Sequence, residues 1–125
     1  MTQDTAVDIA FLDRFADAWN RHDTEAILAA MTPDCVMQMP MGPDVGGTVY
    51  RGQAEVRQGI ERVFSLLPDV RYHNPTHFIA GGRGVTEWVL TATGPNGPIE
   101  AEGCDVFTFR DGKIALKNSY RKQRA

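Results

Sequence analysis

The feature that most constrains this chain is a change of hydrophobic period part-way along it. Between Val7 and Arg21 the apolar residues Phe11, Leu12, Phe15, Ala16 and Trp19 recur at helical spacing, which predicts an amphipathic helix. "NRHDTEAILAAM" predicts a second, short helix with Asp23 as N-cap and Ile27, Leu28 and Met31 as its stripe, ended by Pro33. A third runs from Gln53 to Leu67 on Val56, Ile60, Val63, Phe64 and Leu67, and Pro68 stops it. After that the apolar residues alternate in twos. "VRYHNPTHFIAG", "GVTEWVLTAT", "IEAEGCDVFTF" and "KIALKNSYR" read as strands joined by Gly-Gly, "GPNGP" and "RDG", the last two carrying Asn-Gly and Asp-Gly hairpin signals. Pro75 inside the first of them predicts a bulge or an edge position.

Ahead of the third helix, "DCVMQM" is a further short strand, and "PMGPDVGGTVYRG" is loop because its prolines and glycines sustain neither period. The layout is therefore ααβαββββ, an antiparallel meander whose apolar face the helices must cover. A chain of 125 residues supports one such core, so residues 1–125 form a single domain. The formal charge of −3 argues against nucleic-acid binding, and the basic residues from Arg110 onward read as a solvated face and tail. The opening "MTQDTAVDIA" has neither a basic flank nor a long apolar run, so a soluble, cytoplasmic protein with no leader and no membrane span is expected. Cys35 and Cys104 lack metal-ligand spacing and read as small buried residues.

One segment raises a chemical question. In "GCDVFTFRDGKI", Asp105 shares a strand face with Gly103, Phe107 and Phe109. An ionised carboxylate buried without partners costs several kcal/mol, so the fold has to hydrogen-bond it, protonate it or use it.

With "AWNRHDTEAILAAM", "YRG" before the third helix and "GCDVFTFRDGKI" near the end, the chain resembles the SnoaL-like and ketosteroid-isomerase-like branch of the NTF2-like superfamily over nearly its whole length. The resemblance implies an α+β cone, a curved antiparallel sheet wrapped around three N-terminal helices. It also implies a homodimer through the outer sheet face, and a scaffold shared by isomerases, polyketide cyclases, hydrolases and non-catalytic binding domains. In the ketosteroid isomerases the acid matching Asp105 stays protonated and donates a hydrogen bond to the developing enolate. Their general-base aspartate falls on Met39 and their tyrosine donor on Phe15, so the usual steroid-isomerase mechanism is not expected.

Asp105 thus has two readings, a pocket acid or a core residue that accepts from the Trp19 indole or a backbone N–H. Glu87 replaces the missing base if it lines the cone with Val85, Val89 and Thr91; if Trp88 and Leu90 line it, Glu87 points outward. His73 is a further candidate base, with His77 four residues on; the pair lacks the third ligand a metal site needs, so neither metal nor cofactor is expected. In the last strand the apolar count turns Asn118 and Tyr120 inward, whereas the resemblance turns Lys117, Ser119 and Arg121 toward the pocket mouth, and a bulge could reconcile the two. Phe15, Trp19, Met37, Met39, Tyr50, Phe64 and Phe107 complete a greasy wall for a small hydrophobic, oxygenated molecule. The expected activity is cofactor-independent acid/base chemistry of isomerase, cyclase or hydrolase type, catalysed by Asp105, Glu87 and His73. The alternative is a binding or accessory domain that keeps the cavity without turnover.

Overall fold

A computed structural model describes residues 7–124. The segment 1–6, on which part of the no-leader expectation rests, lies outside the described residues. Helix α1 spans Ile9–Asn20, α2 Thr24–Ala29 and α3 Gly52–Leu66; the strands are β1 Met31–Gln38, β2 Val49–Arg51, β3 Arg71–Ala80, β4 Arg83–Gly94, β5 Gly97–Arg110 and β6 Lys113–Arg121. They form one six-stranded sheet in the order β2-β1-β6-β5-β4-β3, antiparallel except where β1 runs parallel to β6. This is the expected α+β architecture, extended by β2 inside the segment read as loop and by an earlier start of β1. Among the described residues no helix is long and apolar enough to cross a membrane.

Local chemistry explains the element ends. Asp23 caps α2 by accepting from the Ala26 N–H at 3.1 Å, and Asp8 caps α1 in the same way from Phe11 at 2.8 Å, which moves that helix start past Val7. Glu55 reaches back to the Arg51 N–H, so α3 is capped from inside its own first turn. All three β3–β6 hairpins turn in two residues, closed by the pairs Ala80–Arg83, Gly94–Gly97 and Arg110–Lys113. Asp111 and Gly112 both take positive φ, 54° and 72°, as a type I′ turn requires.

The helices pack on one face of the sheet. The core gathers Leu12, Phe15 and Trp19 from α1, Ile27 and Leu28 from α2, Val56 and Ile60 from α3, and Met37, Phe107 and Ile114 from the strands. In β4 it is Thr86, Trp88, Leu90 and Ala92 that are buried. Trp88 lies over Gly103 on the neighbouring strand: a Cβ there would come within 2.5 Å of both the indole ring and the Tyr120 backbone oxygen. The space that Gly103 leaves is thus filled by Trp88 and is not free for a ligand.

Because the ring and the backbone oxygen stand at that distance together, Gly103→Ala should destabilise the fold by about 1–3 kcal/mol, the usual cost of overpacking. Chemical denaturation checks this, and a midpoint equal to that of the wild type would show that Trp88 can move.

Candidate functional site

Three of the strands have phases that determine what reaches the interior. In β3, His73 pairs with Val89 and Thr76 with Glu87, so β3 carries one residue more than β4 over that interval. Asn74, at φ 53°, and Pro75 form this bulge. Without it His73 and His77 would share a face; with it they do not. His73 points to the outer face, where its Nε2 meets Thr91 Oγ1 at 2.7 Å, and is thereby removed as a base inside the cone.

In β4 the bulk of Trp88 and Leu90 turns inward, and Glu87 stays exposed on the outer face, where its charge needs no desolvation. Glu87 therefore does not replace the missing base. In β6, Thr108 and Phe109 of β5 oppose Leu116 and Ile114, which leaves Ala115 as an extra residue. Ile114 is inward before this bulge and Lys117 and Ser119 after it, so the apolar count that turned Asn118 and Tyr120 inward fails at Ala115. Asn118 and Tyr120 face out and bond to each other at 3.0 Å.

What these phases bring together is a buried polar centre. Asp105 Oδ1 accepts from the Ser119 hydroxyl at 2.6 Å and lies 3.1 Å from Lys117 Nζ; Oδ2 accepts from the Trp88 indole at 3.1 Å. Lys117 also donates to Ser119 Oγ at 3.0 Å and sits 4.6 Å from the centroid of the Trp19 ring. The Lys117 and Asp105 side chains are 6% and 9% exposed, so both charges are withdrawn from water together. Surrounded by donors, Asp105 is an acceptor, a carboxylate, and not the hydrogen-bond donor that the resemblance implies. The expected Trp19 indole partner is replaced by Trp88, and the Trp19 Nε1 is buried without a partner among the described residues.

Around this centre stand aromatic rings. Tyr72 meets Trp88 edge-on at 5.1 Å and Trp19 at 5.9 Å, and Phe15 meets Phe107 at 5.9 Å. Burial pushes the Tyr72 phenol far above its usual range, with the Asp105 charge adding to it. Between these rings, Thr86 and Asp105 lies a cavity of about 20 Å³. Of the expected wall residues, Phe15, Trp19 and Phe107 line it. Phe64 stacks on His22 behind Trp19, while Met37 and Tyr50 pack under Gly59 of α3. Met39, Asn118 and Tyr120 line instead an open cleft of about 690 Å³ on the outer face. Among the described residues no group of three or more His, Cys, Asp or Glu is placed to hold a metal ion.

Sequence reasoning missed Thr86 and Asp13, and it named His77 without finding its partners. Thr86 pairs with Asp105 across the strands, His77 Nδ1 meets Thr86 Oγ1 at 2.8 Å, and His77 Nε2 meets Asp13 on α1 at 2.8 Å. A polar row therefore crosses the sheet from Ser119 through Asp105, Thr86 and His77 to a helix carboxylate. The Pro75 bulge signal was the one clue to it.

The family model of the SnoaL-like domain matches residues 12–117. No curated protein sequence matches the chain. Among solved structures, a candidate polyketide cyclase from Xanthomonas campestris pv. campestris is similar at 20% identity, with 89% of this chain and 87% of that chain covered and a TM-score of 0.78. A protein with a ketosteroid isomerase-like fold from Catenulispora acidiphila, in complex with trimethylamine, aligns at 15% identity over 91% and 86% with a TM-score of 0.77. TerC, co-crystallized with polyporic acid, aligns at 23% identity over 91% and 90% with the same TM-score, 0.77. At these identities the likeness concerns the fold.

Removing one partner of a buried pair strands the other, so Lys117→Met should cost about 3–5 kcal/mol. The double variant Asp105→Asn/Lys117→Met should recover at least about half of that loss, because no buried charge is left uncompensated. Additive losses in the double-mutant cycle would show that the two groups are not coupled.

Proposed function

The chain belongs to the SnoaL-like domain family, and from that premise we propose that it is a cofactor-independent enzyme of the isomerase or polyketide-cyclase type. It acts by acid/base chemistry on a small hydrophobic, oxygenated molecule held in the cone. The observation that carries this reading is the Asp105–Lys117 pair, a carboxylate and an ammonium 3.1 Å apart inside an aromatic chamber. Asp105 takes a proton from a carbon next to a carbonyl, and the Lys117 ammonium stabilises the negative charge that develops on the oxygen. Such a preorganised charge counts for more where water is excluded. Entry of the molecule requires the indole rings to yield, since the closed cavity has room for about one water. Neighbours of this fold that hold trimethylamine and polyporic acid support a ligand in the chamber.

The second reading is a binding domain without turnover. It is favoured by the complete set of partners around Asp105, which leaves the carboxylate engaged in the closed state. Cyclic ketones and polyketide-like compounds, screened by thermal shift and then by product analysis, separate the two. An enzyme yields product that Asp105→Asn reduces by at least about a hundredfold, the lower range for a general acid or base. Ligand-induced stabilisation with no product from any binder leaves the binding domain.

The same reading includes a homodimer through the outer sheet face, within the cytoplasm, where the free Cys35 and Cys104 stay reduced. Trp88 and Leu90, expected on that face, are inside; the apolar residues there are Val85, Val106 and Leu116, with Phe78 and Tyr120 52% and 55% exposed. A two-fold contact would cover them without open ends. Sedimentation should give a dimer at tens of micromolar by order of magnitude, and Phe78→Lys should shift it to monomer. A monomeric wild type of 13.8 kDa would remove the dimer from the proposal.

A further inference from the structure

The cavity beside Asp105 has an unusual inventory of free hydrogen-bonding groups. The Trp88 indole is spent on Asp105 Oδ2, and the Lys117 ammonium on Asp105, Ser119 and the Trp19 ring face. The Trp19 Nε1–H remains, on a residue 4% exposed and lining the cavity, with no partner among the described residues. An indole N–H can only donate, and leaving such a donor buried and unmade costs about 1–3 kcal/mol.

Acceptors face it. His77 Nε2 lies 2.8 Å from the Asp13 carboxylate, which accepts only, so in the neutral ring Nε2 carries the proton and Nδ1 is bare. Thr86 then donates its hydroxyl proton to Nδ1 at 2.8 Å, and its oxygen lone pairs are what it can offer to the cavity it lines. The Asp105 carboxylate, in the same cavity wall, accepts as well. The volume of about 20 Å³ exceeds the roughly 10–15 Å³ that one water needs.

We propose that this cavity is a hydroxyl-binding site, occupied by one water when the cone is closed and by an alcohol, enol or phenol group of the ligand when it is filled. Such a group accepts from Trp19 Nε1 and donates to Thr86 Oγ1, satisfying both sides at once; Asp105 already accepts from Trp88, Ser119 and Lys117. A ketone oxygen accepts from Trp19 but sets its own lone pairs against those of Thr86 and Asp105. Asp13 and His77 are positioning residues, because they orient the Thr86 hydroxyl without touching the ligand. The proposal takes from the preceding reading only that the cone admits a small molecule, and it needs no turnover.

The chain has two tryptophans, so a ¹⁵N-labelled sample has two indole signals, assigned with Trp19→Phe. Without ligand, the Trp19 indole should show a cross-peak to a long-lived water and the Trp88 indole should not. Cyclohexanol should remove that cross-peak, shift the Trp19 signal and bind about tenfold more tightly than cyclohexanone, the value of one hydrogen bond. In Thr86→Val the preference should fall to within about twofold. A Trp19 indole without a water cross-peak, no shift with cyclohexanol, cyclohexanone binding as well as the alcohol, or an unchanged preference in Thr86→Val each overturns the proposal. These are binding readouts, so they stand apart from the product analysis: selective alcohol binding with no product leaves this site in place and removes the enzyme.

Discussion

The buried Asp105 carboxylate is the point at which the elements of this fold are tied to one another. Its partners come from both neighbouring strands, Trp88 on β4 and Ser119 and Lys117 on β6, and Lys117 in turn sits against Trp19 on α1. Ion pairs of this kind add little net stability, because desolvation of both charges offsets their attraction. Their effect here is on alternatives. A one-residue slip of β4 would carry Trp88 to the outer face, and one of β6 would carry Lys117 and Ser119 there, each leaving the carboxylate without the partners of that strand. The register that puts apolar residues inside also completes the polar centre, so the two requirements reinforce each other.

The bulges at Asn74–Pro75 and Ala115 make that register possible. Each inserts one residue into a period-two strand and inverts the facing of everything beyond it. The first brings His77 rather than Thr76 onto the helix side, opposite Asp13. The second brings Lys117 and Ser119 to Asp105. With both in place, the polar row from Ser119 to His77 crosses β6, β5, β4 and β3 through residues that pair directly from one strand to the next.

Chemistry follows from how full the cone is. Trp88 occupies the hollow over Gly103, and the remaining void is about 20 Å³, so any ligand larger than water competes with aromatic side chains for space. On the reading proposed above, selectivity resides in the Trp19 N–H, which has no protein partner among the described residues, and in the Thr86 hydroxyl, which is held by His77. The open outer cleft has volume but is lined largely by residues of the outer sheet face, away from Asp105.

The sequence by itself determined the three helices, every strand but β2, the N-cap at Asp23, the hairpin connections and the side of β5 on which Asp105 lies, because each depends on residues within one turn or one strand. It also placed Phe15, Trp19 and Phe107 in the interior, since their stripes are uninterrupted. Only the tertiary structure decided that Glu87, His73, Asn118 and Tyr120 face outward and that Lys117, Ser119, Trp88 and His77 face in. The physical reason is that a strand's alternation shows two faces without saying which is inner. That choice is made by neighbouring strands, through the volume of Trp88 over Gly103 and through bulges whose extra residue is defined only by what pairs on either side of it.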